Sequence, residues 1–373
     1  MTASAEESEL GARSKRERLD LLRTVAATLP ELAYETWNFG DSVAFEAMCK
    51  ASAVLHDPSY ARFAHGWARC WATRALPYRR LDCTAPGYAM VRLCDQYRDS
   101  RLLASLVSLA DYLLSRPRLH GVFITWDASP LVQPYGTTPL DPRGAVLLAS
   151  PPPGVFIDCL HFDPPFLVAL GALTDTARYW QEGIEQALGY VELLQAESGL
   201  FDHFVLSGEP GTFAPGWGRG QGWALLGIID VLEIANRLAL TQDTNTAMSR
   251  LAAAAAKQIA AMVRLQRSDG HWYAVVDRPD SGDEYSTTAF MAYGISRALR
   301  LGIVSGAGPV EAAARAQDAV EAAIASDGVL RCVSAAVMAS TEPSHYYHVP
   351  IDFVVPWGQG PAVLALCEWC DVP

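Results

Sequence analysis

Phe156–Phe166 reads FIDCLHFDPPF, and its counterpart at Gly216–Trp223 reads GWGRGQGW. Each is a turn rich in glycine, proline or aromatic residues that runs into an apolar segment with helical spacing. In the first, Pro164 and Pro165 suit the opening turn of a helix, which needs no N–H donors, so a helix is predicted to begin near Pro164. Asp163 would cap it, and Asp158 would stand just outside, where side chains point at ligands.

Four more stretches share this character: WNFGDS (37–42), RRLDCTAPG (79–87), SGDEYSTTAF (281–290) and VVPWGQGP (354–361). Helical periodicity marks twelve segments, at about 18–29, 42–55, 60–74, 86–97, 101–114, 164–173, 176–196, 221–238, 244–266, 286–301, 309–325 and 359–370. The six turns each precede the second helix of a pair, and the connections on the other side are short, as at Arg98–Ser100. Six antiparallel helical hairpins closed into a ring would gather those turns around one mouth, which predicts an all-α (α/α)6 barrel. Residues 117–155 break the rhythm with many Pro and Gly; so long an irregular segment inside a domain predicts a functional rim insertion. Only 272–276 and 329–333 look capable of forming short strands. A flexible N-terminal segment, 1–16, and a single catalytic domain, 17–373, complete the expected organisation.

Half of the 373 residues are hydrophobic and 19% are charged, ample material for one large core. The net charge of −12 repels nucleic-acid phosphates and anionic membranes, so neither is an expected partner. The first twenty residues lack the apolar run of a secretory signal, and no long apolar span follows, which predicts a cytoplasmic protein. The eight cysteines include one CxxC, Cys367 to Cys370, with no second pair, and they read as buried apolar residues. Neither a metal-binding spacing such as HExxH nor a phosphate loop is present, so no cofactor or metal is expected.

The six turns supply Asp41, Asp82, Asp158, Asp163, Arg219, Gln221, Asp283 and Glu284 beside Trp37, Phe39, Trp217, Trp223 and Trp357. Aromatic platforms next to carboxylates suit sugar rings, whose apolar faces stack while their hydroxyls hydrogen-bond. Asp158, between Ile157 and Cys159, suits a group that holds or delivers a proton, although an aspartate before Pro-Pro is more often only a cap. Arg219, at a helix start, favours an anionic ligand group; a solvated surface arginine is the plainer alternative, weakened by Trp217 and Trp223. His203, in GLFDHF, can donate or accept, though a lone histidine is more often structural.

With these residues in place, the chain resembles the unsaturated uronyl hydrolases, glycoside hydrolase family 105 with its sister family 88. The likeness rests on FIDCLHFDPPFLVALG, GWGRGQGWALLGIIDVLE, STTAFMAYGISRALRLG and PWGQGPAVLALCEW, with a weaker match at WNFGDSVAFEA, and so spans nearly the whole chain. It implies a substrate that ends in a 4,5-unsaturated uronic acid, and a reaction by hydration of the enol ether in place of the two-carboxylate scheme; unsaturated galacturonyl-rhamnose is the expected substrate. It also implies Asp158 as general acid and base, Asp82 as a second carboxylate, and His203, Trp217 and Arg219 as sugar-binding residues. Phe39, Asp41, Trp223 and Trp357, from the other turns, join them as expected substrate contacts. The chain departs from the family at Phe39-Gly40-Asp41-Ser42, where Tyr-Glu-Asn-Gly is usual, and in GAVLLAS, which lacks an expected histidine. An ordinary inverting glycosidase or epimerase on the same barrel, and a non-catalytic sugar-binding protein, are the competing expectations.

Overall fold

The computed structural model describes residues 14–34, 39–74, 78, 83–238 and 242–371. Thirteen α-helices occur among them: α1 (Lys15–Thr28), α2 (Phe39–Val54), α3 (Ser59–Ala72), α4 (Gly87–Tyr97), α5 (Ser100–Leu114), α6 (Pro142–Ala149), α7 (Cys159–Thr174), α8 (Ala177–Leu194), α9 (Gly218–Ala235), α10 (Gln242–Leu265), α11 (Tyr285–Arg300), α12 (Ala307–Ala323) and α13 (Pro356–Asp371). Six of them, α2, α4, α7, α9, α11 and α13, pack side by side in that order, and α13 returns to α2 to close a ring. The others, apart from α6, lie outside that ring. This is the helical barrel expected from the six turns.

Burial explains which helices are inside. Every residue of α7 from Cys159 to Gly171 is buried, as is every residue of α9 from Gly218 to Leu232, so these helices need neighbours on all sides. Outer α5 instead buries one stripe, Leu102, Leu106, Leu109, Ala110 and Leu113, and starts with Asp99 accepting a bond from the Leu102 N–H. Close approach within the ring requires glycine: a Cβ on Gly227 of α9 would lie 2.3 Å from the Leu160 carbonyl oxygen of α7. That carbonyl lacks its helical donor because residue 164 is proline.

Several expectations are corrected. Helix α7 begins at Cys159, not Pro164, so both prolines lie inside it; Asp158 occupies the N-cap position without a side-chain capping bond, and Asp163 is a buried helical residue, not a cap. The prolines survive there because apolar neighbours pack the helix from every side, which outweighs two missing backbone bonds. Helix α2 starts at Phe39, so Phe39–Ser42 form its first turn. Of the segment 1–16 expected to be flexible, residues 14–16 are ordered, with Ser14 forming a reciprocal capping box with Glu17 at the start of α1; 1–13 lie outside the described residues.

The rim insertion is partly regular. It holds α6, capped by Asp141 with Pro142 following, and a hairpin of β1 (Arg118–Leu119) and β2 (Val122–Phe123). A second sheet, antiparallel throughout, runs β3 (Gly154–Phe156), β4 (Asp202–Leu206) and β5 (Phe213–Pro215). The stretches 272–276 and 329–333 contribute only isolated bridges, Trp217 to Val275, Tyr273 to Asp283 and Ile324 to Leu330. Four of the five strands escape periodicity because two or three residues cannot show alternation, and β4 escapes it because Val205 and its neighbours from His203 to Leu206 are all buried.

Burial pushes the Asp163 carboxyl well above the ordinary range, with Arg116 offsetting only part of the shift. A carboxyl with a raised folded-state pKa stabilises the fold below its unfolded value and loses that contribution as pH rises through the folded value. Asp163→Asn is therefore expected to melt higher than wild type at pH 7, with the gap closing towards about pH 4, the unfolded range of Asp. Thermal denaturation across that range checks it, and a constant gap would contradict the buried neutral acid.

Candidate active site

The inner helices all start at one end of the barrel, and a cavity of about 260 Å³ lies there. Phe39 from α2, Thr84 just before α4, Asp158, Cys159 and Phe162 at the start of α7, and Trp217 and Arg219 at the start of α9 form its floor and walls. Thr125, Trp126 and Pro130 of the rim insertion cover one side, and Val337 and Met338 of the segment between α12 and α13 cover another. The two covering segments are joined: Leu131 bridges Ala339, the Val132 N–H donates to the Ala339 carbonyl at 2.8 Å, and the Tyr135 N–H donates to His345 Nδ1 at 3.1 Å.

Strand register brings Asp158 and His203 together. Phe156 of β3 pairs with Phe204 of β4, and the Ile157 N–H continues the ladder to the His203 carbonyl at 2.9 Å. The chain then turns into α7, and the His203 Nε2 comes within 3.4 Å of Asp158 Oδ2. On its other side, His203 Nδ1 lies 2.6 Å from the hydroxyl of Tyr346, which belongs to a short 3-10 turn at Pro343–Tyr347. Burial holds the Tyr346 phenol well above its usual pKa, and a backbone bond from Ser340 also reaches its oxygen. The phenol thus keeps its proton, and a neutral ring that accepts it at Nδ1 carries its own proton on Nε2, facing Asp158.

Trp217 and Arg219 complete the wall. The Trp217 ring packs on His203 at 4.2 Å between centroids, and the Arg219 guanidinium lies 5.4 Å from the Trp217 ring. Arg219 is 1% exposed, which excludes the solvated surface reading. Its Nη1 donates to Ser334 Oγ at 2.7 Å and pairs with Glu284 Oε1 at 3.5 Å, its Nη2 donates to the Ala335 carbonyl at 2.9 Å, and its Nε has no hydrogen-bond partner. Burial lowers its pKa, and Glu284 and Asp158 oppose that shift. Glu284 is itself fixed by capping α11 through the Thr287 N–H at 3.0 Å.

Other expected contacts fall elsewhere. Trp223 is fully buried and packs against Phe290, His161 and Phe162 at 4.7, 5.2 and 5.5 Å, one turn too deep in α9 to line the cavity. Asp41 faces a separate crevice with Phe45, Trp67 and Trp71 on the far side of α2. Trp357 stands behind the wall, with its ring 4.7 Å from Phe39 and its Nε1 donating to the Ser334 carbonyl at 3.0 Å. Asp82 and Trp37 lie outside the described residues. Thr84, Thr125, Trp126, Tyr346 and Met338 were not singled out in the sequence; the only signal for the last two is the long non-helical stretch between α12 and α13.

One group among the described residues could hold a metal ion: Glu46, His161 and Asp230, whose ligand atoms lie within 4.8 Å of one another. They come from α2, α7 and α9, so no local spacing could have marked them. Arg297 already neutralises Asp230 at 2.7 Å, and Glu46 lies 3.3 Å from His161. Burial opposes a charged imidazole, but Glu46 and Asp230 outweigh it and raise the His161 pKa, so a proton fills the role a cation would take.

A helical ring with an aromatic-walled cavity, a carboxylate held by a histidine and a buried guanidinium defines a carbohydrate-active enzyme, a glycoside hydrolase. The chain belongs to Glycosyl Hydrolase Family 88, whose family model matches residues 23–372. It is 24% identical over 337 residues to unsaturated rhamnogalacturonyl hydrolase YesR of Bacillus subtilis (strain 168), covering 89% of both chains. Its fold matches a structure solved as a possible member of the GH105 family from Salmonella enterica, with a TM-score of 0.81, 23% identity and 99% of each chain covered. The unsaturated glucuronyl hydrolase of Bacillus sp. GL1, responsible for glycosaminoglycan degradation, matches at a TM-score of 0.67 and 17% identity, over 95% of this chain and 96% of that one.

The Tyr346–His203 bond carries its own test. Tyr346→Phe removes the donor that fixes the ring tautomer, and nitrogen NMR of labelled His203 is expected to show a mixed population where wild type shows the Nε2–H form. The lost bond is worth about 1 kcal/mol of stability. An unchanged histidine spectrum would contradict the assigned proton positions.

Proposed function

We propose that the protein releases a 4,5-unsaturated uronic acid from the non-reducing end of a short oligosaccharide, with unsaturated galacturonyl-rhamnose as the favoured substrate, in the cytoplasm. The observation that carries this reading is the Asp158–His203 pair in a small cavity at the converging N-termini of the inner helices. Those N-termini each carry a partial positive charge and suit a uronate carboxylate. Asp158 is the one carboxylate lining the cavity among the described residues, which fits a single proton donor better than a pair of acids flanking a glycosidic bond.

In this scheme the protonated Asp158 gives its proton to carbon 4 of the enol ether, and positive charge develops at carbon 5 and the ring oxygen. Water adds at carbon 5 and returns a proton to the Asp158 carboxylate, so the acid is regenerated. The resulting hemiketal opens and expels the remaining sugar. His203, with Nε2–H facing Asp158, holds the carboxylate in place, and Trp217 offers an aromatic face to the sugar. Arg219, with Nε free of protein partners, fixes the substrate, and Asp82 is assigned as the second carboxylate that holds substrate and water.

Incubation with lyase-generated oligosaccharides is expected to abolish the ultraviolet absorbance of the enol ether, and Asp158→Asn should lower kcat/KM by about 10²–10⁴-fold. Loss of no signal with any unsaturated uronide, or full activity in Asp158→Asn, overturns the assignment. Turnover of saturated substrates would select ordinary hydrolysis instead.

A further inference from the structure

The opposite end of the barrel holds a second cavity, of about 1170 Å³, where the inner helices terminate. Its lining is strongly charged, and much of that charge is paired within the protein. Asp230 meets Arg297 at 2.7 Å, Glu233 meets Arg300 at 3.4 Å, Asp95 meets Arg98 at 2.8 Å and Glu46 meets His161 at 3.3 Å. Lys50 and Arg300 both reach Glu368, at 2.7 and 2.8 Å. Arg92 is different: the ring of Tyr88 lies 5.8 Å from its guanidinium, and no carboxylate lies within ion-pair distance of it among the described residues, Glu46 acting on it only from further away.

A cation near a helix C-terminus commonly offsets the negative end of the helix dipole. That account suits Arg237, just beyond α9, but not Arg92, which is the sixth residue of the eleven in α4 and precedes the last turn. The Arg92 side chain is open to solvent through the cavity even though Tyr88, Cys49, Tyr293 and Glu46 surround it. A guanidinium that forms no direct ion pair among the described residues, next to two phenols in a large polar cavity, matches the planar fork geometry that takes an oxyanion by two bonds.

We propose that this far cavity is a second ligand site, which binds a small oxyanion, a carboxylate or phosphate group, through Arg92 with Tyr88 and Tyr293 beside it. His161 and Trp223 separate it from the catalytic cavity, whose wall includes Phe162. The site stands on the opposite end of the ring from Asp158, so it is independent of the reaction assigned above.

Titration calorimetry with inorganic phosphate and, separately, with malonate tests this on the full chain. Saturable binding of either is expected, with Kd about 1 mM or tighter; phosphate alone would point to phosphorylated ligands and malonate alone to carboxylates. Arg92→Gln should weaken the binding at least about tenfold, equivalent to 1.4 kcal/mol, and leave uronide hydrolysis unchanged. In wild-type protein, the same probe should slow modification of Arg92 by phenylglyoxal, read by peptide mass spectrometry, which decides the matter even if the variant does not fold. Absence of saturable heat with both probes, no protection of Arg92, or binding lost in Arg219→Gln but kept in Arg92→Gln each overturns the proposal.

Discussion

The whole architecture follows from helices that cannot tolerate water on any side. Helices α7 and α9 bury every residue over thirteen and fifteen consecutive positions, from Cys159 to Gly171 and from Gly218 to Leu232. A single such helix needs packing partners all round, and a closed ring backed by an outer layer provides them without an end. Closeness within the ring then becomes the binding constraint. It is met where α9 presents Gly227 to the Leu160 carbonyl and where Gly222 leaves room for the Phe290 side chain, which a Cβ would meet at 2.4 Å.

Closure also aligns the inner helices, which sets the chemistry of the two ends. The end where they begin offers backbone N–H groups and partial positive charge, and there Asp158, His203 and Arg219 share one small cavity. Arg219 is both wall and rivet: bonds to Ser334 and the Ala335 carbonyl tie the segment between α12 and α13 to the start of α9. Glu284, which caps α11, supplies the counter-charge that lets a guanidinium remain ionised at 1% exposure. The end where the helices finish carries the opposite partial charge and is studded with arginines.

Much of this was legible in the sequence, for physical reasons that differ by residue. The barrel was readable because six turns repeat before six apolar helices, and repetition is a long-range signal. Asp158, Trp217, Arg219 and Phe39 lie in turns expected at one mouth, His203 joins them through the family resemblance, and the structure gathers all five around one cavity. Trp223 was misjudged because a tryptophan in a turn motif and one a helical turn later look alike in a string of letters, while 3.6-residue geometry sends the second inward. The start of α7 was misplaced because Pro-Pro normally marks a helix entrance, and here tertiary packing overrides that preference. Tyr346 had no local signature at all: its partner is 143 positions away, and only the folded chain brings the two together.

The covering of the candidate active-site cavity comes from outside the helical ring. Thr125, Trp126, Pro130, Val337 and Met338 belong to two connecting segments that lean on each other through the Leu131–Ala339 bridge, whereas the acid and its histidine are anchored to the barrel and its small sheet. In the proposed scheme, chemistry and sugar selection are therefore carried by separable pieces of chain. A protein engineer who exchanged the two covering segments together would be altering the lock while keeping the bolt.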